Sequence, residues 1–111
     1  MGWNAILLAL CRVTRYNQLM IGSFKHRGLK RYFEEDDPRK LPADMIRRIR
    51  AILTRLAAAE RIEDMDVHEY KLHELKGTRK GFWSVTVRAN WRMTFRWEDG
   101  FAVDVNFEDY H

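Results

Sequence analysis

The spacing of hydrophobic residues changes once along this chain, from a helical period to a strand period. Up to about residue 59 apolar residues recur every three or four positions, and from Tyr70 onward they alternate with polar residues. A period near 3.6 residues indicates a helix with one buried face, and a period of 2 indicates a strand. The sequence therefore predicts helices followed by a sheet, which is an α+β fold.

The first predicted helix is short. It begins at Gly28, and Leu29, Tyr32 and Phe33 follow at helical spacing. The acidic run at 34–37 and the proline after it end this helix and form an exposed loop.

The second predicted helix runs from 42 to about 59, because a proline suits the first helical turn. Its apolar residues form one stripe, which we expect to pack inward. Arginines occupy the other faces, and we interpret them as a solvated surface. The stripe consists of Ile46, Ile49, Ile52, Leu53 and Leu56, and the arginines are Arg47, Arg48, Arg50 and Arg55.

Four strands are predicted after the helices, at 70–75, 82–87, 91–97 and 101–107. Short turns join them, including the Asp99-Gly100 hairpin signal, so the sheet is expected to be antiparallel. Alternation gives each of the last two strands an apolar and a polar side. We expect one face of the sheet to be buried against the helices and the other to be polar, cationic and exposed. The predicted inward residues are Trp91, Met93, Phe95 and Trp97 in the third strand and Phe101, Val103, Val105 and Phe107 in the fourth.

Length and composition indicate one globular domain. The chain has 111 residues, of which 46% are hydrophobic and 13% aromatic, and this composition excludes disorder. A domain of this size buries about two thirds of its unfolded surface, so it needs no disulfide or metal. Cys11 is the single cysteine, which indicates a reducing compartment, and we expect the protein to be cytoplasmic.

The first 19 residues do not match the rest of the chain. Their apolar run at 5–11 is shorter than the roughly 20 residues of a membrane span. Arg12 and Arg15 follow this run, whereas a secretory signal carries its positive charge before it. Met20 offers a second start. We therefore expect 1–19 to be an extension or a mis-assigned start, and 20–111 to form the domain.

Positive charge is concentrated in the strand region. The formal net charge of the chain is +4, but the window 71–96 alone contains seven basic residues and one acidic residue. Such a window attracts polyanions, and phosphate neutralisation dominates sequence-independent affinity for nucleic acids. A solvated basic face would have the same composition, so both interpretations stay open. The basic residues are Lys71, Lys76, Arg79, Lys80, Arg88, Arg92 and Arg96.

A few residues could cleave a phosphodiester on such a surface. His73 lies in the first predicted strand, and Asp109, Tyr110 and His111 end the sequence. A general base and a general acid, with cations to stabilise the charged phosphorane, suffice for this reaction. Spacing alone favours the structural interpretation, in which His73 is an ordinary strand histidine and His111 a frayed terminus.

Metal chemistry is disfavoured. His73, Asp109 and His111 could in principle bind zinc, but the sequence has no closely spaced pair of Cys or His ligands. We therefore expect no metal and no cofactor.

Five segments carry a more specific pattern, at 23–30, 71–77, 83–85, 89–95 and 108–111. Leu-His-Glu-Leu-Lys-Gly at 72–77 and the terminal Asp-Tyr-His stand out. Together the segments resemble the HigB toxins of the RelE-type superfamily, found in bacterial toxin-antitoxin loci, over 20–111. The resemblance implies a microbial-RNase-like fold with two helices on one side of a mostly antiparallel sheet of about four to five strands.

The resemblance also implies a function and a site. HigB toxins cleave messenger RNA in the decoding site of the 70S ribosome without a metal and arrest growth. The positions that match their active site are His73, Asp109, Tyr110 and His111, and Lys76 and Arg92 match cations near the scissile phosphate. The implied partner is a HigA-type helix-turn-helix antitoxin.

Two other functions share parts of this pattern. A ParE-like gyrase poison has the same scaffold, although the histidines at 73 and 111 argue against it. A non-catalytic nucleic-acid-binding module would use the same basic surface, and only a cleavage assay separates it from a nuclease. We expect RNA or phosphate contacts from Lys71, Lys76, Arg79, Lys80, Arg92 and Arg96.

Overall fold

The computed structural model of the chain describes residues 21–109, and its elements follow the predicted order. Helices α1 (Arg27–Glu35) and α2 (Ile46–Ala58) precede a four-stranded sheet, which confirms the α+β arrangement over this part of the chain. The expected extension at 1–19 and the expected boundary at 20 lie outside the described residues. The strands are β1 (His73–Glu74), β2 (Phe82–Arg88), β3 (Trp91–Glu98) and β4 (Phe101–Asp109).

The sheet has the order β1-β2-β3-β4, and each neighbouring pair is antiparallel. The segment 21–26 lies along the outer edge of β4 in the parallel direction. Gly22 donates its N–H to the Ala102 carbonyl at 2.8 Å, and Lys25 donates to the Val105 carbonyl at 2.8 Å. This segment forms an isolated bridge, Phe24 with Val105, and its hydrogen bonds cover part of this edge, whose N–H and C=O groups would otherwise be unpaired.

The core lies between the helices and one face of the sheet. The predicted stripe of α2 is confirmed, since Ile49, Ile52, Leu53 and Leu56 are almost fully buried, and Ile46 at its edge is partly buried. Each such side chain contributes about 1.5–3 kcal/mol relative to an exposed one. The sheet contributes Val85, Met93, Phe95 and Val105 to the same core, and all four are 0% exposed.

Two of the α2 arginines are not simply solvated. Arg48 donates to the Glu69 carbonyl at 3.2 Å and lies over the ring of Tyr70, 5.4 Å from its centroid. Arg55 donates from Nε to the Asp64 carbonyl at 2.9 Å. These contacts attach the two short 3₁₀ turns after α2, Ile62–Met65 and His68–Tyr70, to the helix. Arg55 is nevertheless exposed, as the interpretation of a solvated face requires, and Arg48 is partly buried.

The first strand is much shorter than predicted. Tyr70 ends a 3₁₀ turn, and Lys71 follows with φ of +51°. A residue in this left-handed conformation interrupts an extended strand, so β1 contains His73 and Glu74 and no more. Lys71 and His73 would lie on the same side of the predicted strand 70–75, but Lys71 is outside β1, so strand alternation does not place the two side chains together.

A β-bulge reverses the side-chain alternation in β4. Asp104 has φ of +53°, and Asp104 and Val105 together lie opposite Phe95. Residues before the bulge are shifted by one position relative to those after it. Ala102 is consequently fully buried, while Phe101 and Val103 are only partly buried. The predicted inward orientation of these two residues is wrong.

Helix α1 begins at an unusual cap. The Nδ1 atom of His26 accepts a hydrogen bond from the Leu29 N–H at 3.2 Å, and its ring meets Phe107 edge to face. Gly28 makes room for this ring, because a Cβ atom there would lie 2.9 Å from its Cε1. Burial lowers the pKa of His26, which keeps Nδ1 available as an acceptor.

The cap predicts a pH-dependent stability. Because the folded pKa of His26 lies below its unfolded value of 6.5, the cap stabilises the protein fully above pH 6.5 and is lost as the pH falls through the folded pKa. An N-cap contributes about 1 kcal/mol, so we expect the Tm to fall by a few degrees over this range. His26→Asn keeps a capping side chain without a titrating ring. Thermal unfolding between pH 7.5 and 5 should therefore be flatter for this variant, and equal slopes would contradict the assignment.

Candidate active site

The face of the sheet away from α2 carries a cross-strand row of polar residues. His73 is paired with Ser84, Ser84 with Thr94, and Thr94 with Asn106, and directly opposed residues share a face. Glu108 lies on the same face, opposite Arg92. We call this side of the sheet the polar face.

The centre of the polar face is covered, although the sequence predicted it to be exposed. Ser84 and Thr94 are each only 1% exposed. The loop between β1 and β2 contains the 3₁₀ turn Gly77–Arg79, and from this turn Arg79 reaches across to Glu108. Its two terminal nitrogens donate to the two carboxylate oxygens at 2.9 and 2.8 Å.

Glu108 is the best-connected carboxylate of this face. Besides Arg79, it accepts a hydrogen bond from the Thr94 hydroxyl at 2.6 Å and one from the Asn106 amide at 3.4 Å. These bonds, led by that of Arg79, lower the pKa of Glu108 because they stabilise its ionised form. The sequence analysis gave Glu108 no role. Its alternation with Asn106 could have placed it on the polar face, but no sequence signal pairs it with Arg79.

Two of the predicted phosphate-binding arginines are compensated by carboxylates within the fold. Arg79 pairs with Glu108, and Arg96 donates from Nε to Asp104 at 2.9 Å, with Glu98 at 3.5 Å from its Nη1. The polar face is therefore less cationic than the sequence suggested.

A cavity of about 340 Å³ opens on this face beside the compensated arginines. The Phe82 ring lies in its wall, with the Arg79 and Arg96 guanidinium carbons 5.6 and 5.9 Å from the ring centroid. Lys25 reaches the cavity from the edge segment 21–26, a contribution that the sequence analysis did not foresee. The lining residues are Lys25, Arg79, Phe82, Thr94, Asp104, Asn106 and Glu108.

His73 lies exposed at one edge of the sheet. Its Nδ1 is 3.0 Å from the Lys71 carbonyl oxygen, with which a proton on Nδ1 would form a hydrogen bond. In that tautomer Nε2 is unprotonated and can accept a proton, as a general base must.

Asp109 lies at the other edge. It is the last residue of β4 and is paired with Trp91, so alternation puts it on the side of the sheet opposite to Glu108. Neighbouring strands are about 4.8 Å apart, so β1 and β4 are about 14 Å apart across the sheet. The structure therefore holds His73 and Asp109 on separate edges. Tyr110 and His111 lie outside the described residues.

The remaining predicted cations surround β1 or follow the β2–β3 turn. Lys71 precedes β1, and Lys76 and Lys80 border a hollow of about 310 Å³ beside it. All three side chains belong to exposed residues. Arg92 lies on the polar face and curls back toward the turn, where it donates to the Ala89 and Trp91 carbonyls.

Comparison with known proteins identifies the family. The profile of the HigB-like toxins, described as RelE-like toxins HigB of type II toxin-antitoxin systems, matches residues 22–111. The chain belongs to this family. Endoribonuclease HigB of Proteus vulgaris is 49% identical over 92 residues, which cover 83% of this chain and 100% of that protein. Toxin HigB-1 of Vibrio cholerae serotype O1 is 27% identical over 89 residues, 78% of this chain and 94% of that protein.

Between residues 21 and 109 no three His, Cys, Asp or Glu side chains cluster in a way that could hold a metal ion. Neither described helix is long and apolar enough to span a bilayer.

The Glu108 network predicts an acid-dependent loss of stability. Its folded pKa lies below the ordinary value of 4.5, so its contribution is present above pH 4.5 and is lost as the pH falls through the folded pKa. Glu108→Gln should therefore lower the free energy of unfolding by about 1–2 kcal/mol at pH 7, and the effect should shrink steadily as the pH falls below 4.5 toward 3. Urea unfolding at both pH values measures this. Glu35→Gln, in an exposed helical pair with Arg31, is the control and should change little at either pH.

Proposed function

We propose that this chain is the endoribonuclease toxin of its toxin-antitoxin system and cleaves messenger RNA in the decoding site of the ribosome. The observation that carries the proposal is the 49% identity to Endoribonuclease HigB over the whole length of that protein. The structure supports it with an exposed histidine and several exposed lysines around β1. A gyrase poison or a passive binding module would need neither His73 nor the terminal Asp-Tyr-His.

The proposed reaction is transfer of the phosphodiester to the neighbouring ribose hydroxyl. The 2′-oxygen forms a bond to phosphorus while its proton passes to a general base, and the bond from phosphorus to the 5′-oxygen breaks as a general acid protonates that oxygen. We assign the base to Asp109 or His73 and the complementary proton transfer to His111. Tyr110, Lys76 and Arg92 orient the phosphate and stabilise its added charge. No step requires a metal ion.

The shape of the site supports the proposed dependence on the ribosome. His73 and Asp109 lie on opposite edges of the sheet, and the Arg79–Glu108 pair covers the polar face between these edges. A free RNA would have to be ordered on this surface at a large entropic cost. A decoding site that already holds the codon supplies proximity and orientation, which are worth several orders of magnitude in rate.

Mapping of 5′ ends on a defined messenger RNA tests this proposal. We expect the wild-type protein to cut within codons in a bacterial translation mixture, and to cut far less when ribosomes are omitted. His111→Gln should lower the cleavage rate about 100-fold or more, because it removes a proton-transfer group.

The other outcomes of this experiment are also informative. Equal cutting without ribosomes would make the protein a free ribonuclease. Full activity of the His111→Gln protein would remove His111 from the mechanism. The absence of cuts under all conditions would favour the gyrase poison or the binding module, and a supercoiling assay with gyrase would separate those two.

The family implies an antitoxin partner, and we propose that this partner is a HigA-type helix-turn-helix protein. We propose that the antitoxin docks on the helical side of the toxin and on its loops. Both proteins are proposed to act in the cytoplasm. Expression of the toxin alone should arrest growth, and co-expression of that antitoxin should restore it through a stable complex. Growth curves and size-exclusion chromatography measure the two effects. An antitoxin that restores growth without binding the toxin would contradict the proposal.

A further inference from the structure

The two parts of the proposed active site belong to different edges of the sheet, and Arg79 and Glu108 connect them. We propose that these two residues form a positioning pair, which fixes His73 and Lys76 relative to the end of β4 and takes no part in proton transfer. This inference rests on the proposed function, because the residues that it positions are those assigned to RNA cleavage.

Strand β1 needs such a support. It consists of two residues at the sheet edge, and its backbone pairs are His73 with Ser84 and Glu74 with Trp83. The Leu75 N–H donates to the Phe82 carbonyl at 2.8 Å, and the Gly81 N–H donates to the Glu74 carboxylate at 3.2 Å. All of these contacts join β1 and its loop to β2 or to one another. None of them joins β1 or its loop directly to β4, which β1 reaches only through β2 and β3.

The Arg79–Glu108 contact joins the β1–β2 loop directly to β4. Arg79 lies three residues after Lys76 in the β1–β2 loop, and Glu108 directly precedes Asp109 in β4. Two parallel N–H···O bonds between planar groups fix both separation and orientation, unlike a single lysine contact. The side chains are 37% and 24% exposed, so water screens the pair only partly.

Glu108 is itself held rigidly. The hydroxyl of Thr94 and the amide of Asn106 direct its carboxylate, and Thr94 is almost completely buried in the central strand β3. The four hydrogen bonds occupy both carboxylate oxygens, which makes Glu108 a poor proton acceptor and a good anchor. Arg79 in turn directs its two terminal nitrogens toward this anchor, so the structure assigns it to the fold and not to a phosphate.

The test has one arm without RNA. In the full-length toxin we would record the His73 imidazole resonances and the amide hydrogen exchange of Leu75 and Gly81. Arg79→Ala and Glu108→Ala should each shift the His73 resonances and speed both exchange rates. Arg39→Ala is the matched control, because Arg39 makes a two-bond contact of 2.9 Å each with Asp37, before α2 and away from the polar face. Unchanged His73 resonances in Glu108→Ala would overturn the proposal.

The second arm measures single-turnover cleavage of ribosome-bound messenger RNA. Each alanine variant should lower the maximal rate about 10- to 100-fold, as expected for a misplaced catalytic group, with little change in the toxin concentration at half-maximal rate. The double variant should be no slower than either single variant, because both remove one contact. Arg79→Lys, which keeps the charge and one hydrogen bond, should recover part of the rate. Arg39→Ala should cleave like the wild type.

The outcomes separate this inference from the proposed function. A slow Arg79→Ala protein beside a fully active Glu108→Ala protein would mean that Arg79 contacts RNA directly, and would overturn the positioning pair. A wild-type protein that cuts no RNA would overturn the proposed function, while the resonance and exchange measurements would still decide whether the pair fixes β1. If Glu108→Ala does not fold, Glu108→Gln, of equal size, replaces it in both arms.

Discussion

The packing of α2 against one face of the sheet determines the rest of this structure. Ile52 and Leu53 of the helix and Met93 and Phe95 of the central strand are completely buried. Since side chains alternate along a strand, burial of one set assigns the other set to the polar face. The hydrophobic core thereby decides that His73, Arg92 and Glu108 share one side of the molecule. Residues that take no part in chemistry thus determine which side chains are available to contact a substrate.

Much of this arrangement could be predicted from residue spacing, and the failures have a common physical cause. The helices and the last three strands follow from the periods of their apolar residues, which are local properties. The bulge at Asp104 and the interruption at Lys71 depend on non-glycine residues with positive φ, for which these side chains give no distinctive sequence signal. The same holds for the site: Arg79 and Glu108 are 29 residues apart, and no local pattern reveals such a pair.

The electrostatics of the polar face depend on pairing more than on composition. The window 71–96 is strongly basic, yet acids from β4 compensate two of its arginines. The exposed lysines around β1 are attached to the shortest strand of the sheet. The polar face therefore has ion pairs at its centre and exposed positive charge at the β1 edge. Geometry alone does not say what this charged surface is for. The family match adds that the chain is a HigB-like toxin.

The parallel segment beside β4 has a consequence for the order of synthesis. The Ser23 hydroxyl accepts a hydrogen bond from the Asp104 N–H, a contact that spans 81 positions of the chain. Pairings between such distant residues form late, because a long loop must close first. On a translating ribosome, 21–26 emerges early and cannot find its partner until β4 has also left the exit tunnel. A nascent chain therefore cannot complete the sheet until β4 has been made and has left the tunnel, so the finished fold forms only after nearly all of the described chain has been made.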